Sequence, residues 1–177
     1  MNKIVKLGLI LFAVSAIVAL CLGLVNSVTA DRIAAIAAEK LAVAMEVVLP
    51  ADEYTDVEYT GGDAQVDFIK KAGDKGYVVQ CTVGGSQGTI TMITGVAADG
   101  TVTGISVLDH GETPGLGAIA GAAGAAGENF RAQFAGLTSA AVTKDGGSVN
   151  ALTGATVTSR AICTGVNAAL EAVKTVG

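Results

Sequence analysis

The chain has 177 residues, enough for one ordinary domain and an appendage, and its net charge of −5 with an isoelectric point near 4.7 excludes the basic footprint of a nucleic-acid binder. Hydrophobic residues make up 51% and charged residues only 15%, with a mean hydropathy of +0.58, which is too apolar for a water-facing domain alone. One segment must carry the excess.

That segment opens the chain. Leu7 to Val25 is a charge-free run of 19 residues, the length a helix needs to cross a bilayer. Lys3 and Lys6 precede it, while Asp31 and Arg32 beyond it cancel, so the positive-inside rule places the N-terminus in the cytoplasm and the rest of the chain outside. A cleaved signal peptide ending at Val28-Thr29-Ala30 is the competing reading; the run exceeds a usual signal core, which favours a retained anchor. Leu20, where a lipoprotein signal needs a small residue, argues against lipidation of Cys21.

From Asp31 to Leu49, Ile33, Ile36, Leu41, Met45 and Val48 recur at helical spacing among good helix formers, and Pro50 stops the pattern. The division expected is an anchor over 1–28, a connecting helix over 29–50 and an extracytoplasmic domain over 51–177. Within that domain, "YTDVEYT" and "AQVDFIKKA" read as short strands, and "GYVVQCTV", "TITMITGVAA" and "TVTGISVLDH" as a clearer antiparallel series. Asp99-Gly100 between two β-rich runs is a strong hairpin signal. A Gly/Ala-rich stretch follows, open to either a loop or a close backbone approach, then Phe130, Phe134 and Leu137 at helical spacing. "AAVTKDGGSVNAL" reads as strand, turn, strand, and Ser159 to Val173 as a terminal helix with Ile162, Val166, Ala169 and Val173 on one side. The fold class is α+β: a mostly antiparallel sheet with flanking helices, preceded by one N-terminal transmembrane helix.

Cys21, Cys81 and Cys163 form no paired motif for zinc, iron–sulfur or c-type haem. A Cys81–Cys163 disulfide is conceivable in an oxidising compartment, but buried thiols are the expectation. His110 is the sole histidine and no nucleophile elbow accompanies it, so the acid–base constellations of hydrolases are not represented and no catalytic residue is assigned.

Two stretches stand out. In "ALTGATVTSRAI", Thr153, Thr156, Thr158 and Ser159 surround Gly154 where irregular chain becomes helix. Thr156 or Thr158 suits an N-cap; the same open N–H groups would also receive a phosphate, with Gly154 and Ala155 admitting a bulky group. In "HGETPGLG", Pro114-Gly115 suits the centre of a type II turn, with Gly117 keeping the following backbone clear.

The pair "HGETPGLG" and "KDGGSVNALTGATVTS" resembles the FMN-binding domain of the G subunit of Rnf-type ion-translocating ferredoxin:NAD oxidoreductases and of the C subunit of the sodium-pumping NADH:quinone oxidoreductase. The "F..QF.G" segment at Phe130, Gln133, Phe134 and Gly136 fits the same layout, and the likeness runs from about Gly76 to Lys174. The short chain favours the former of the two. The resemblance implies FMN esterified through its phosphate to Thr156, with Thr153, Gly154, Ala155, Thr158 and Ser159 completing that motif. It further implies Leu116 and the glycine-rich backbone at Gly115 and Gly117 against the ring, and Glu112 and Thr113 as polar contacts. The implied role is a redox subunit that relays electrons and has no complete active site of its own. Its partners would be the other membrane subunits, with a flavin transferase during maturation. Asn150 stands where the family usually has an acidic residue, keeping the shape and losing the charge. A stand-alone anchored flavoprotein for extracellular electron transfer or sensing, and a cofactor-free binding module, are the alternatives.

Overall fold

The computed structural model describes residues 3–176. The chain divides between Lys40 and Leu41 into two units.

The first lies within helix α1 (Lys3–Val48), which is long and apolar enough to cross a membrane and leaves Leu9, Phe12 and Leu22 exposed. Two of its hydroxyls bond within the helix: that of Ser27 donates to the Leu24 carbonyl at 2.8 Å and that of Thr29 to the Val25 carbonyl at 2.9 Å. The expected connecting helix is continuous with the apolar run, and Pro50 follows its end closely.

The second unit is a five-stranded antiparallel meander, β1 (Thr55–Val57), β2 (Val66–Lys71), β3 (Gly76–Gly84), β4 (Thr89–Ala97) and β5 (Val102–His110), in sequence order. Alternation gives the sheet two apolar faces. Val79, Cys81, Val83, Ile90, Met92 and Val96 meet Ile162, Val166, Ala169 and Val173 of α3 (Thr156–Val176), the side expected for the terminal helix. Val78 and Ile93 meet Ala44, Met45 and Val48, the last turns of α1. Those turns approach because Gly95 and Gly104, cross-strand partners, offer no side chain there; a Cβ at Gly95 would lie 2.7 Å from the Val48 carbonyl oxygen. The Thr103 hydroxyl donates to that carbonyl, and Tyr54 donates to Leu49 at 2.8 Å, so the helix end is capped by the sheet.

The Asp99-Gly100 hairpin forms with Gly100 at φ +83° and a three-residue turn, the Ala97 N–H donating to the Thr101 carbonyl. "AAVTKDGGSVNAL" departs from expectation: a single parallel bridge joins Val142 to Val149 around a short 3-10 turn, Thr143–Asp145, because Lys144 to Ser148 supplies nothing to extend a ladder. The Gly/Ala stretch becomes a 3-10 turn, Gly117–Ala120, and helix α2, Ala125–Ala132. Cys81 and Cys163 are free buried thiols; burial pushes Cys81 up to about 12 and Cys163 to about 11, so both stay protonated.

Thr94 is fully buried with an unpartnered hydroxyl. Thr94→Val removes that orphan, and unfolding should become harder by about 1 kcal/mol. A lower unfolding midpoint in the variant would mean the hydroxyl has a partner in solution.

Candidate functional site: a cleft at the start of helix α3

Two tight turns meet beside the first turn of α3. In the first, Pro114 and Gly115 take the central positions; Gly115 has φ +76° and the Leu116 N–H donates to the Thr113 carbonyl at 3.2 Å, the type II turn the dipeptide implies. In the second, Gly154 has φ +75° and the Ala155 N–H donates to the Leu152 carbonyl at 2.9 Å. A Cβ at Gly154 would lie 3.0 Å from Leu116 Cδ2, so the bare glycine lets Leu116 close onto the second turn.

A buried carboxylate holds these pieces to the sheet. Glu112 is 6% exposed; its Oε1 accepts the N–H of Ser86 at 2.7 Å and of Gln87 at 3.1 Å, both in the β3–β4 turn, and its Oε2 accepts the Thr158 hydroxyl from α3. Burial pushes this carboxyl up, but the hydrogen bonds from Thr158, Gln87 and Ser86, with His110 nearby, outweigh it and hold the group below its ordinary value. Glu112 is therefore an anion at neutral pH. The contact is close on both sides: a Cβ at Gly85 would sit 2.3 Å from Oε1, and one at Gly117 would sit 2.5 Å from Oε2 and from Thr158 Oγ1.

The hydroxyls divide by task. Helix α3 begins at Thr156, three residues earlier than the periodicity implies, and the Ala155 carbonyl accepts its first helical hydrogen bond, from the Ser159 N–H at 3.0 Å. Ala155 is thus the cap position, and the expectation that Thr156 or Thr158 caps the helix is corrected: they stand one and three residues inside it. Thr158 gives its hydroxyl to Glu112. Ser159, fully buried, accepts the Leu152 N–H at 3.0 Å and donates to the Ala155 carbonyl at 2.9 Å, closing the second turn from within. Thr153 is exposed on that turn. Thr156 is half-buried, and no described side chain binds its hydroxyl or the N–H groups of Thr156, Val157 and Thr158, which lie too early in the helix for an i−4 partner.

These elements enclose a cleft of about 400 Å³. Of the residues singled out from sequence, Glu112, Thr113, Leu116, Gly117, Gly154, Ala155, Thr156 and Thr158 line it, while Gly115, Thr153 and Ser159 shape the turns behind it. Ser86, Gln87, Lys144 and Val157 line it too and were missed. Leu116 and Val157 are the large apolar side chains most exposed among the described residues outside α1, at 43% and 54%. His110 stays outside the cleft; its Nδ1 is buried without a partner and its ring packs where a Cβ at Gly121 would come within 3.1 Å. A second cavity of about 430 Å³, at the far end of β3 and β4 by Lys71, Tyr77, Asp99 and Lys174, contains none of the motif residues.

Gln133 links α2 to the second turn: its Oε1 accepts the Asn150 N–H at 2.8 Å and its Nε2 donates to the Asn150 carbonyl at 3.3 Å. Asn150 is thus held by its backbone and its side chain is exposed, so a residue of either charge fits the fold there.

A family model described as an FMN-binding domain matches residues 85–171, the span from the β3–β4 turn into α3. The chain is 35% identical to the G subunit of the Na(+)-translocating ferredoxin:NAD(+) oxidoreductase complex of Acetobacterium woodii, covering 94% of this chain and 89% of the relative. It is 32% identical to the G subunit of the ion-translocating oxidoreductase complex of Methanosarcina acetivorans, over 96% and 94%. With the G subunit of the proton-translocating ferredoxin:NAD(+) oxidoreductase complex of Clostridium ljungdahlii it shares 40% identity over 56% of this chain and 54% of the relative. A cleft built from the two motifs and a match that spans nearly the whole chain lead to one conclusion: this protein belongs to the FMN-binding family of G subunits of Rnf-type ion-translocating oxidoreductase complexes.

Proposed function

We propose that this chain is a membrane-anchored electron relay in an Rnf-type ferredoxin:NAD oxidoreductase that drives ion translocation, carrying FMN joined through its phosphate to Thr156. The observation that supports this most directly is the state of the hydroxyls. Thr158 and Ser159 spend theirs on Glu112 and on the turn, whereas Thr156 keeps its own in the cleft beside three open N–H groups. Such a helix start favours an anion, so the phosphate and the linking oxygen fit one place. Gly154, with no side chain, brings Leu116 over the turn beside that place.

When bound, FMN supplies the reversible uptake and release of electrons that no side chain here provides. Leu116 and Val157 would hold its ring by apolar contact and exclude water, with Thr113 offering a polar contact at the rim. Glu112, in the cleft wall, fixes the loop against α3 through Ser86, Gln87 and Thr158 so that Thr156 keeps its orientation. Among the described residues the cleft holds no histidine and its one carboxylate is committed to hydrogen bonds, which suits a relay more than general acid–base chemistry. A covalent tether keeps the cofactor at high local concentration near the next carrier, an advantage on the extracytoplasmic side, where a released flavin is lost.

In this reading residues 1–28 form the anchor, 29–50 the connecting helix and 51–177 the extracytoplasmic domain, with the N-terminus cytoplasmic, in the cell (inner) membrane. The partners are the other membrane subunits, and a flavin transferase matures the protein. The test is a denaturing gel viewed under ultraviolet light after co-expression with such a transferase. Wild-type protein should fluoresce, and Thr156→Val should lose all the signal while keeping its unfolding midpoint within about 1 kcal/mol. A dark wild-type band rejects the flavin reading; a fluorescent Thr156→Val band moves the attachment point.

A further inference from the structure

Two side chains carrying full charge line the cleft, Glu112 and Lys144. The carboxylate is committed to two backbone N–H groups and a hydroxyl. Lys144 is exposed and takes part in none of the described ion pairs, which join Lys70 to Asp56, Arg160 to Asp145 and Lys174 to Glu171.

The backbone that carries Lys144 is nevertheless held. It sits in the middle of the 3-10 turn Thr143–Asp145, and the next residue, Asp145, binds Arg160 of α3 through two bonds, from Nε and from Nη2, each 2.6 Å. That fork ties the turn to the second turn of α3. On its other side the turn is held by the Thr143 N–H to Val149 and the Asp145 N–H to Val142. An unpaired ammonium on a short tethered turn therefore borders the cleft that Thr156 lines.

We infer that Lys144 is the phosphate-neutralising residue of this site, holding the phosphodiester against the start of α3. The inference rests on the FMN reading. A phosphodiester keeps one negative charge after attachment, and the helix start offers only partial positive charge to meet it. A lysine ammonium is a compact cation on a flexible stem and can follow the phosphate without demanding a fixed plane. Asp145 and Arg160 act as the strut that keeps the lysine in reach.

The experiment uses the full chain in detergent, loaded by a purified flavin transferase with its flavin donor. Lys144→Gln, Lys144→Arg and, as a control for lost surface charge, Lys174→Gln are compared with wild type. Expected in Lys144→Gln are a roughly fivefold slower attachment at low salt and a displaced phosphorus-31 resonance in the loaded protein. Lys144→Arg should stay near wild type in both, and Lys174→Gln should change neither. The resonance decides: if it coincides with wild type in Lys144→Gln, the inference is overturned even where attachment is slow, since the lysine is then read by the transferase and not by the phosphate. A wild-type chain that takes up no flavin overturns the FMN reading and this inference together, whereas an unmoved resonance in a loaded chain overturns this one alone.

Discussion

Glu112→Ala should destabilise the protein by about 3 kcal/mol and abolish most of the flavin attachment proposed at Thr156. Truncation of this side chain, only 6% exposed, leaves the Ser86 and Gln87 N–H groups and the Thr158 hydroxyl without their acceptor, and it severs the bonds that join sheet, loop and helix. Glu112→Gln separates shape from charge. Its amide oxygen can still accept the two N–H groups, and Thr158 can turn its hydroxyl to accept from the new NH2, so the expected loss is nearer 1 kcal/mol.

The pH dependence gives the sharper reading. Because the Glu112 carboxyl is held below its ordinary value near 4.5, the folded protein binds this proton less readily than the unfolded chain does. Its contribution is therefore fully present above about 4.5 and is lost as pH falls through the lowered folded value. Unfolding of the full chain in detergent, followed at pH 7 and across the acid range below 4.5, should show wild type losing more stability than Glu112→Gln. Parallel acid limbs would mean that the carboxylate is not the titrating clamp.

The same clamp explains what was legible in the chain and what was not. The strands announced themselves because Val, Ile and Thr alternate along β3 to β5, and a meander pairs each strand with its neighbour in sequence, so little topology remained to be found. The two motifs were visible as unusual residue types around glycine. The donors to Glu112 were not, because a backbone N–H at Ser86 or Gln87 carries no residue-type signature. Thr158 shows the limit of residue type: a threonine there suggested a cap, and only tertiary placement gives its hydroxyl to Glu112. The start of α3 was placed late for a related reason, since Thr156, Val157 and Thr158 are weak helix formers and the helix is decided by packing of Ile162, Val166 and Ala169 on the sheet. Lys144 was missed because a lone lysine beside Asp-Gly-Gly reads as a solvated turn.

Phe134→Ala should be the most destabilising substitution, at about 3–5 kcal/mol. Phe134 is completely buried and meets Phe130 edge to face, with ring centroids 5.4 Å apart and planes at 77°. This pair seats α2 on the core, and Gln133, between them in sequence, reaches out to hold the backbone of Asn150 at the approach to Thr156. Packing and site are thus joined through one residue, and two substitutions separate them. Gln133→Ala removes the clamp and leaves the rings, so stability should fall by only about 1 kcal/mol while flavin attachment slows. Phe134→Leu keeps most of the buried volume and should lie between wild type and alanine in stability with attachment preserved. Unfolding midpoints and ultraviolet gel fluorescence on the same preparations check the order. If Gln133→Ala attaches flavin at the wild-type rate, the clamp is only structural; if Phe134→Ala unfolds within about 1 kcal/mol of wild type, the aromatic pair does not seat α2.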